Sequence, residues 1–346
     1  MKTLYDISWQ VDEPTYREDS ALSYSTLARF NKTGFNGLSH LYDKIESPSL
    51  TFGSAVDALI TGGQKEFDEN FFVADFPKMK DSIVLITNEL FNLYSTQYRT
   101  LEDIPNENII SLTETSEFQL NWKPETRAKV IKESGSTYYS IKYAAQSKTI
   151  ISVETKNQID ATVRALKESP ATKWYFMQND VFDESIQRFY QLKFKASFGK
   201  VTYRCMADLI IVDHTNKIIY PVDLKTSGHK EWEFFNSFIQ WQYQIQARLY
   251  WRIIRKNLDN SEYADYKLAD YRFIVVNKET LTPLVWEFSD TMAKGSLYYG
   301  KQKQIECRDP FDIGEELYSY LSTTHTVPIG IEKNAINYLD KYLDEL

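Results

Sequence analysis

The chain has 346 residues, of which 42% are hydrophobic and 15% aromatic, and its formal net charge is −8. No run approaches the length of a membrane span, and the first ten residues lack the apolar segment of a secretion signal, so we expect a cytoplasmic protein with no membrane partner. The two cysteines, Cys205 and Cys307, cannot ligate an iron–sulfur cluster by themselves.

The N-terminal half of the chain predicts two helices and then a long polar region. Helical patterns cover residues 24–45, with Ser25 as a candidate N-cap, and residues 53–61. From about 64 to 158 the sequence is polar and irregular. Helical segments within this region are predicted near 87–98 and 124–134. We interpret residues 64–155 as an accessory insertion between the second helix and the core strands.

The C-terminal half is rich in strand patterns. After a helical segment at 156–178, the sequence predicts strands at 182–196, 201–213 and 218–225, a long helix at 232–257, and strands at 271–276 and 282–288. These elements predict an α/β fold with a central mixed β-sheet flanked by helices. We expect one domain over 1–346, with its core at 20–62 and 156–290 and a helical extension at 291–346.

A predicted β-hairpin brings two aspartates together. The polar turn His214-Thr-Asn-Lys217 joins two β-rich runs, and pairing Asp213 with Ile218 places Asp208 directly opposite Asp223. Opposed residues have Cβ atoms roughly 4.5–5.5 Å apart, so these like charges repel. Lys225 projects from the same face because side chains alternate along a strand. The cluster therefore predicts a divalent cation between the carboxylates, with the lysine beside it.

An ordinary solvated ion cluster is the alternative explanation for two aspartates and a lysine at a strand end. Both aspartates, however, follow apolar runs, Cys205-Met-Ala207 before Asp208 and Ile218-Ile-Tyr-Pro-Val222 before Asp223. Uncompensated charge in such surroundings is costly. This burial favours the metal site.

At this point the residues resemble the PD-(D/E)XK nuclease family, and in particular its RecB-like and RecE-like exonucleases. Four segments carry the resemblance: Asp208 with Val222-Asp-Leu-Lys-Thr-Ser227, the helix Tyr243-Gln-Ile-Gln-Ala-Arg-Leu-Tyr250, the run Leu22-Ser-Tyr-Ser-Thr-Leu-Ala-Arg-Phe30, and Thr51-Phe-Gly-Ser-Ala-Val-Asp-Ala-Leu-Ile60. The resemblance spans residues 20–62 and about 180–290. It implies a restriction-endonuclease-like core and a DNA nuclease that uses Mg²⁺ or Mn²⁺.

The resemblance implies a role for each site residue. Asp208 and Asp223 hold one or two metal ions, with the Leu224 carbonyl as a further ligand, while Lys225 orients the attacking water or stabilises charge on the phosphate. Gln246 and Tyr250, one helical turn apart, steady the lysine, the water or a phosphate.

Two further residues are candidate ligands, and the first of them departs from the family pattern. Asp57 stands where the family usually has a histidine ligand, and a carboxylate suits a hard cation equally well. The alternative is a carboxylate that stabilises its helix through the macrodipole. Glu184 resembles an acidic family residue on the strand before Asp208. Pairing across a turn at 197–200 sets residue 189 opposite 208, however, and this puts Glu184 on the other face unless a bulge intervenes.

The net charge of −8 argues against a nucleic-acid enzyme, because phosphate binding usually requires a basic surface. Basic residues nevertheless cluster near the hairpin and in the helix that carries the Tyr243–Tyr250 segment. They are Arg188, Lys193, Lys195, Lys200 and Arg204, and then Arg248, Arg252, Arg255 and Lys256. Together with Thr226 they are candidates for a DNA groove. Ordinary solvated faces are the alternative for each cluster.

Three other functional classes remain open. A sequence-specific restriction endonuclease could use the same hairpin, and a catalytically silent DNA-binding or assembly module could keep it without hydrolysis. A non-nuclease metalloenzyme is disfavoured because the four histidines lack ligand spacing. The RecE-like resemblance implies resection of linear double-stranded DNA in phage-type recombination, in a bacterial or phage-infected cell. It also implies a homo-oligomer and a single-strand annealing partner.

Overall fold

The computed structural model describes residues 3–43, 45–180, 182–289, 296–299 and 303–323. Residues Ser54–Val163 form one compact unit, and the described residues on either side of them form the other, which we call the sheet unit. No helix in the described part of the chain is long and apolar enough to cross a membrane.

The sheet unit contains a mixed β-sheet flanked by helices, as the sequence predicts. Its strands are β3 (Ile186–Phe198), β4 (Val201–Asp213), β5 (Ile218–Ser227), β6 (Lys267–Leu268), β7 (Tyr271–Asn277) and β8 (Leu284–Phe288). The strand order is β3-β4-β5-β7-β8, with β6 also paired to β5. β5 pairs in parallel with β6 and β7, whereas the other neighbours are antiparallel.

Helices complete the sheet unit. They are α1 (Leu4–Ile7), α2 (Glu13–Glu18), α3 (Tyr24–Thr33), α10 (Phe234–Gln240), α11 (Tyr243–Asp259) and α12 (Pro310–Thr323). Short 3-10 helices lie at Gly34–His40, Lys173–Phe176 and Glu231–Glu233. α11 is amphipathic, and its Ile245, Leu249 and Ile253 pack on the sheet against Phe194 and Tyr203. This helix therefore covers the face of the sheet on which the side chain of Asp223 lies.

The second unit is mainly helical. Its elements are most of α4 (Pro48–Thr61), α5 (Gly63–Asn70), β1 (Phe71–Val73), α6 (Asp81–Tyr94), a 3-10 helix at Leu101–Asp103, α7 (Asn106–Thr115), α8 (Pro124–Ala145), β2 (Thr149–Ile151) and the first part of α9 (Val153–Glu168). Leu90, Ile131 and Tyr139 are fully buried in its core. Residues 64–155 lie within this unit, and their status as an insertion stays a prediction.

The hairpin register confirms the predicted pairing of β4 with β5. Asp213 pairs with Ile218 and Leu209 with Val222, so the next position along sets Asp208 against Asp223. The predicted register of β3 with β4 is wrong by two residues, because Phe198 pairs with Val201. Gly199, with φ +57°, allows a tighter two-residue turn than the sequence suggested.

Two predicted helices are interrupted. The helix expected over 24–45 ends at Thr33 and continues as a 3-10 helix, and its N-cap is Ser23, which accepts the Thr26 N–H, rather than Ser25. The helix expected over 232–257 is broken before α11 at Gln242, whose φ is +56°. The Gln242 side chain donates a hydrogen bond to the Ala28 carbonyl, and this contact with α3 holds the break in place.

The range 291–346, expected to be helical, contains a hairpin as well as a helix in its described part. β9 (Ser296–Tyr299) pairs antiparallel with β10 (Lys303–Glu306), and α12 follows. Residues 290–295, 300–302 and 324–346 lie outside the described part, so the prediction for them stays open.

Candidate active site

The two aspartates of the hairpin lie beside each other at the point where β4 and β5 separate. The Leu224 N–H donates a hydrogen bond of 2.9 Å to Asp208 Oδ2, which ties the Asp208 carboxylate to the neighbouring strand. Asp208 is half-buried, whereas Asp223 is only 1% exposed. The geometry therefore offers one carboxylate that solvent reaches and one that it does not.

Lys225 is the counter-ion of the buried carboxylate. Its Nζ lies 2.6 Å from Asp223 Oδ2, and the Lys225 side chain is 19% exposed. Burial raises the pKa of Asp223 above its ordinary value, although Lys225 and Gln246 act in the opposite direction. Burial would lower the pKa of Lys225, but the Asp223 and Asp208 carboxylates outweigh it, and the net pKa is raised. The site therefore keeps an ammonium group next to two carboxylates.

Helix α11 fixes the orientation of Asp223. Gln246 Nε2 donates a hydrogen bond of 2.5 Å to Asp223 Oδ1, and Gln246 Oε1 is buried without a hydrogen-bond partner. One turn later on α11, Tyr250 is buried, and the centroid of its ring lies 6.2 Å from the centroid of the Tyr271 ring. Burial raises the pKa of Tyr250 well above its ordinary value, with Asp223 and Asp208 adding to the shift. Gln246 thus contacts Asp223 directly. Tyr250 is a protonated phenol that interacts electrostatically with Asp223 and Asp208.

Tyr243 completes the surroundings of the lysine. Lys225 Nζ lies 4.8 Å from the centroid of the Tyr243 ring, a cation–π distance. Tyr24 lies beside Tyr243, with the ring centroids 6.2 Å apart, and donates a hydrogen bond from its hydroxyl to the Trp241 carbonyl. Tyr243 belongs to the helix that carries the family resemblance, but the sequence indicated no separate role for it. Its spacing of one turn before Gln246 was the available signal.

The donor set fits a hard divalent cation. Mg²⁺ in proteins commonly binds one or two carboxylates and fills its other positions with water and substrate phosphate. Asp208 and Asp223 supply the carboxylates. The carbonyl of Leu224 points to the same side of β5 as its N–H, which is the side of Asp208. Within the described residues, however, no three His, Cys, Asp or Glu side chains form a group that could hold a metal.

The structure does not bring Glu184 into this cluster. Ile186 pairs with Asp213, so Glu184 precedes β3 near the hairpin turn and is exposed. At about 3.3 Å per residue it stands roughly 20 Å along the strand from the level of Asp208. The expected ligand role of Glu184 is therefore wrong. Asp57 belongs to the second unit, and its role as a ligand stays a prediction.

The basic residues around β3 and β4 have structural partners. Arg188 is buried and donates hydrogen bonds to the carbonyls of Trp174 and Tyr175. Lys193 donates to the Val11 carbonyl, and Lys195 forms an ion pair of 2.6 Å with Asp19.

Arg204 is also buried and donates to the backbone carbonyls of Arg17 and Asp19. Lys193, Lys195 and Arg204 therefore attach the N-terminal segment to the sheet. Burial removes Arg204 from the predicted DNA groove, whereas the prediction for the partly exposed Lys193 and Lys195 stays open.

The basic residues of α11 are engaged in a similar way. Arg248 is 5% exposed and pairs with Asp309 at 2.7 Å. Lys256 donates to the Ser197 carbonyl, and Arg255 donates to the Tyr266 carbonyl. Arg248 is thus a structural residue rather than a DNA contact.

Thr226, the remaining candidate for DNA contact, lies against the start of α4. A Cβ added to Gly53 would lie 3.0 Å from Thr226 Oγ1. A side chain at position 53 would therefore require the Thr226 hydroxyl to move. The prediction that Thr226 contacts DNA stays open.

Comparison with known proteins assigns the chain to no family. No family model and no curated protein sequence matches the chain. A crystal structure named "Putative exonuclease", from Eubacterium rectale, is similar over 82% of this chain and 79% of its own, with 12% sequence identity and a TM-score of 0.41. Similarity at this level does not decide an activity. Any function has to be supported by the side chains of the site.

Proposed function

We propose that the chain is a metal-dependent deoxyribonuclease that hydrolyses phosphodiester bonds from the ends of linear, double-stranded DNA. One observation carries the proposal: Asp208, Asp223, Lys225 and Gln246 meet on one face of the sheet, although they come from three different elements. Burying an acid as deeply as Asp223 is costly. A structural ion pair alone would gain little from the second carboxylate beside it.

The residues of the chain would divide the chemistry between them. Asp208, Asp223 and the Leu224 carbonyl would hold Mg²⁺ or Mn²⁺. When bound, the metal would polarise the phosphate and acidify a water molecule. Lys225, kept protonated by the carboxylates, would stabilise negative charge that develops on the phosphate oxygens.

Gln246 and Tyr250 would support this arrangement from α11. Gln246 holds the Asp223 carboxylate in one orientation through its hydrogen bond, and a fixed orientation is what a metal ligand requires. Tyr250, whose raised pKa keeps its proton, would act as a hydrogen-bond donor rather than as a base. Preference for DNA ends, a role in phage-type recombination, a homo-oligomer and an annealing partner rest on the sequence resemblance alone.

Digestion of linear and covalently closed circular DNA tests the proposal. The purified chain would be incubated with each substrate in Mg²⁺, Mn²⁺ or EDTA, alongside Asp208→Asn as the inactive control. We expect linear DNA to be degraded only with a divalent ion, and closed circles to be resistant. Discrete cuts in closed circles would identify an endonuclease. No hydrolysis under any condition would identify a silent binding module.

A further inference from the structure

Gln191 has a left-handed backbone in the middle of a β-strand. Its φ is +52°, and it lies within β3. Every other non-glycine residue with positive φ in the described part of the chain lies outside the strands. This conformation costs an ordinary residue roughly 1–2 kcal/mol. Such strain persists only where the surrounding structure fixes it, often at a functional site.

The unusual residue lies at the level of Asp208. The pairing of β3 with β4 passes from Leu192 with Ala207 directly to Tyr190 with Leu209, and Gln191 and Asp208 are the two residues between. The distortion and the candidate ligand therefore occupy the same rung of the sheet.

The direction of the side chains changes at this rung. Before it, the residues of β4 that face α11 are Val201, Tyr203, Cys205 and Ala207, and after it they are Ile210 and Val212. Strict alternation would have continued with 209 and 211. The same change occurs in β3, where Leu192 and Phe194 belong to the core and Phe189 also packs against it.

The change lets Ala207 and Asp208 lie on the same face of the sheet. In β5, Ile219 faces the core under α11, and alternation puts Asp223 and Lys225 on that face, where Asp223 meets Gln246. A regular β4 with Ala207 facing the core would turn Asp208 to the opposite face. With the change, Ala207 and Asp208 both lie on the side of Asp223. Local distortions of this kind re-aim side chains beside active sites.

We propose that Gln191 is a positioning residue, whose left-handed backbone holds the distortion by which Asp208 keeps the face of Asp223 although its neighbour Ala207 faces the core as well. Its role lies in the backbone rather than in the amide group. The consequence for catalysis rests on the proposed function, but the consequence for the direction of Asp208 does not. The hydrogen bond from Leu224 N–H to Asp208 Oδ2 reports that direction without any turnover.

Three substitutions at Gln191 and one control separate the backbone from the side chain. Gln191→Gly removes the side chain and favours positive φ, Gln191→Asn tolerates it, and the β-branched Gln191→Val disfavours it. Gln187→Val is the matched control, since Gln187 lies in the same strand and its φ is not positive. The readouts are hydrogen exchange of the Leu224 amide in protein labelled with ¹⁵N-leucine, unfolding in urea, and Mn²⁺-dependent hydrolysis of linear DNA.

We expect Gln191→Gly to raise the folding equilibrium constant about fivefold, because it relieves the strain, and to keep both Leu224 protection and hydrolysis. Gln191→Asn should resemble the wild type. Gln191→Val should lose at least tenfold of the Leu224 protection, with a matching fall in kcat, whereas Gln187→Val should lose neither.

Three results would overturn the proposal. They are a less stable Gln191→Gly, wild-type Leu224 protection in Gln191→Val, or loss of hydrolysis in Gln191→Gly with that protection intact, which would assign the role to the amide group. If Gln191→Val does not fold, Gln191→Gly and Gln191→Asn still test whether the role of Gln191 lies in its backbone or in its amide group. If the wild type hydrolyses no DNA, the proposed function fails, while the exchange measurement still tests the positioning role.

Discussion

Replacing Lys225 by methionine would remove the counter-ion of a carboxylate that is 1% exposed. The two groups are 2.6 Å apart, and the lysine side chain is itself 19% exposed. Removing one partner from a buried ion pair typically costs 3–5 kcal/mol. Because Lys225 is partly solvated, we expect the lower end of that range, about 3 kcal/mol at pH 7 in EDTA.

The loss of stability in Lys225→Met should depend on pH, and its direction follows from the ionisation of Asp223. Without the ammonium, burial raises the pKa of Asp223 further above its value of about 3.9 in the unfolded chain. The folded variant then prefers the protonated acid, so its destabilisation is absent below about pH 3.9. It grows by up to about 1.4 kcal/mol per pH unit above that point, until the folded-state pKa is reached.

Thermal unfolding measured from pH 4 to pH 7 would check this expectation. A cost of about 3 kcal/mol corresponds to roughly 6–12 °C in Tm for a unit of this size. Lys217→Met is the control, because Lys217 lies in the turn of the same hairpin and pairs with Asp265, but both side chains are more than half exposed. That variant should differ little from the wild type. An equal loss in both variants, or a loss in Lys225→Met that does not change with pH, would refute the reasoning.

Three further substitutions test separate parts of the structure. Gln246→Leu removes the hydrogen bond to Asp223 and should lower kcat/KM by about 10–100-fold while the fold persists, whereas an unchanged rate would dismiss its role. Gly314→Ala places a Cβ 2.2 Å from the Tyr203 hydroxyl, so we expect a net loss of about 1 kcal/mol in urea unfolding despite the better helix propensity. Arg188→Met removes the donor to the Trp174 and Tyr175 carbonyls and should lower the Tm without weakening DNA binding, whereas a selective loss of DNA affinity would identify Arg188 as a DNA contact.

The part of the site formed by the hairpin could be predicted from the sequence. A short polar turn between two β-rich runs fixes the register of β4 with β5, and that register places Asp208 against Asp223. The period of the strand then places Lys225 on the same face. Gln246 became a candidate through the family resemblance of its helix, and its hydrogen bond to Asp223 could not be predicted from the sequence.

Features that depend on contacts between distant segments could not be predicted. The two-residue turn at Gly199 shifted the register of β3, and with it the position of Glu184. The break at Gln242 depends on a hydrogen bond to α3. Strain at Gln191 leaves no mark in composition or periodicity, because glutamine is an ordinary strand residue.

The basic clusters were misleading for a related reason. These residues lie near the hairpin in the sequence. Nothing in the local sequence shows, however, that Lys195 will form an ion pair with Asp19 or that Arg204 will donate hydrogen bonds to backbone carbonyls of the N-terminal segment. Charge counted along the chain therefore does not show which basic side chains are already paired within the protein.

Single-turnover hydrolysis of an end-labelled linear duplex tests the central claim most directly. It would be measured with Mn²⁺ for the wild type, Asp208→Asn, Asp223→Asn and the surface control Lys217→Met. We expect the wild type and Lys217→Met to release labelled product at the same rate, and both aspartate variants to be slower by at least a thousandfold, since either change removes a carboxylate from the proposed metal site. Hydrolysis by either aspartate variant at the wild-type rate would contradict the assignment of the carboxylate pair as the active site.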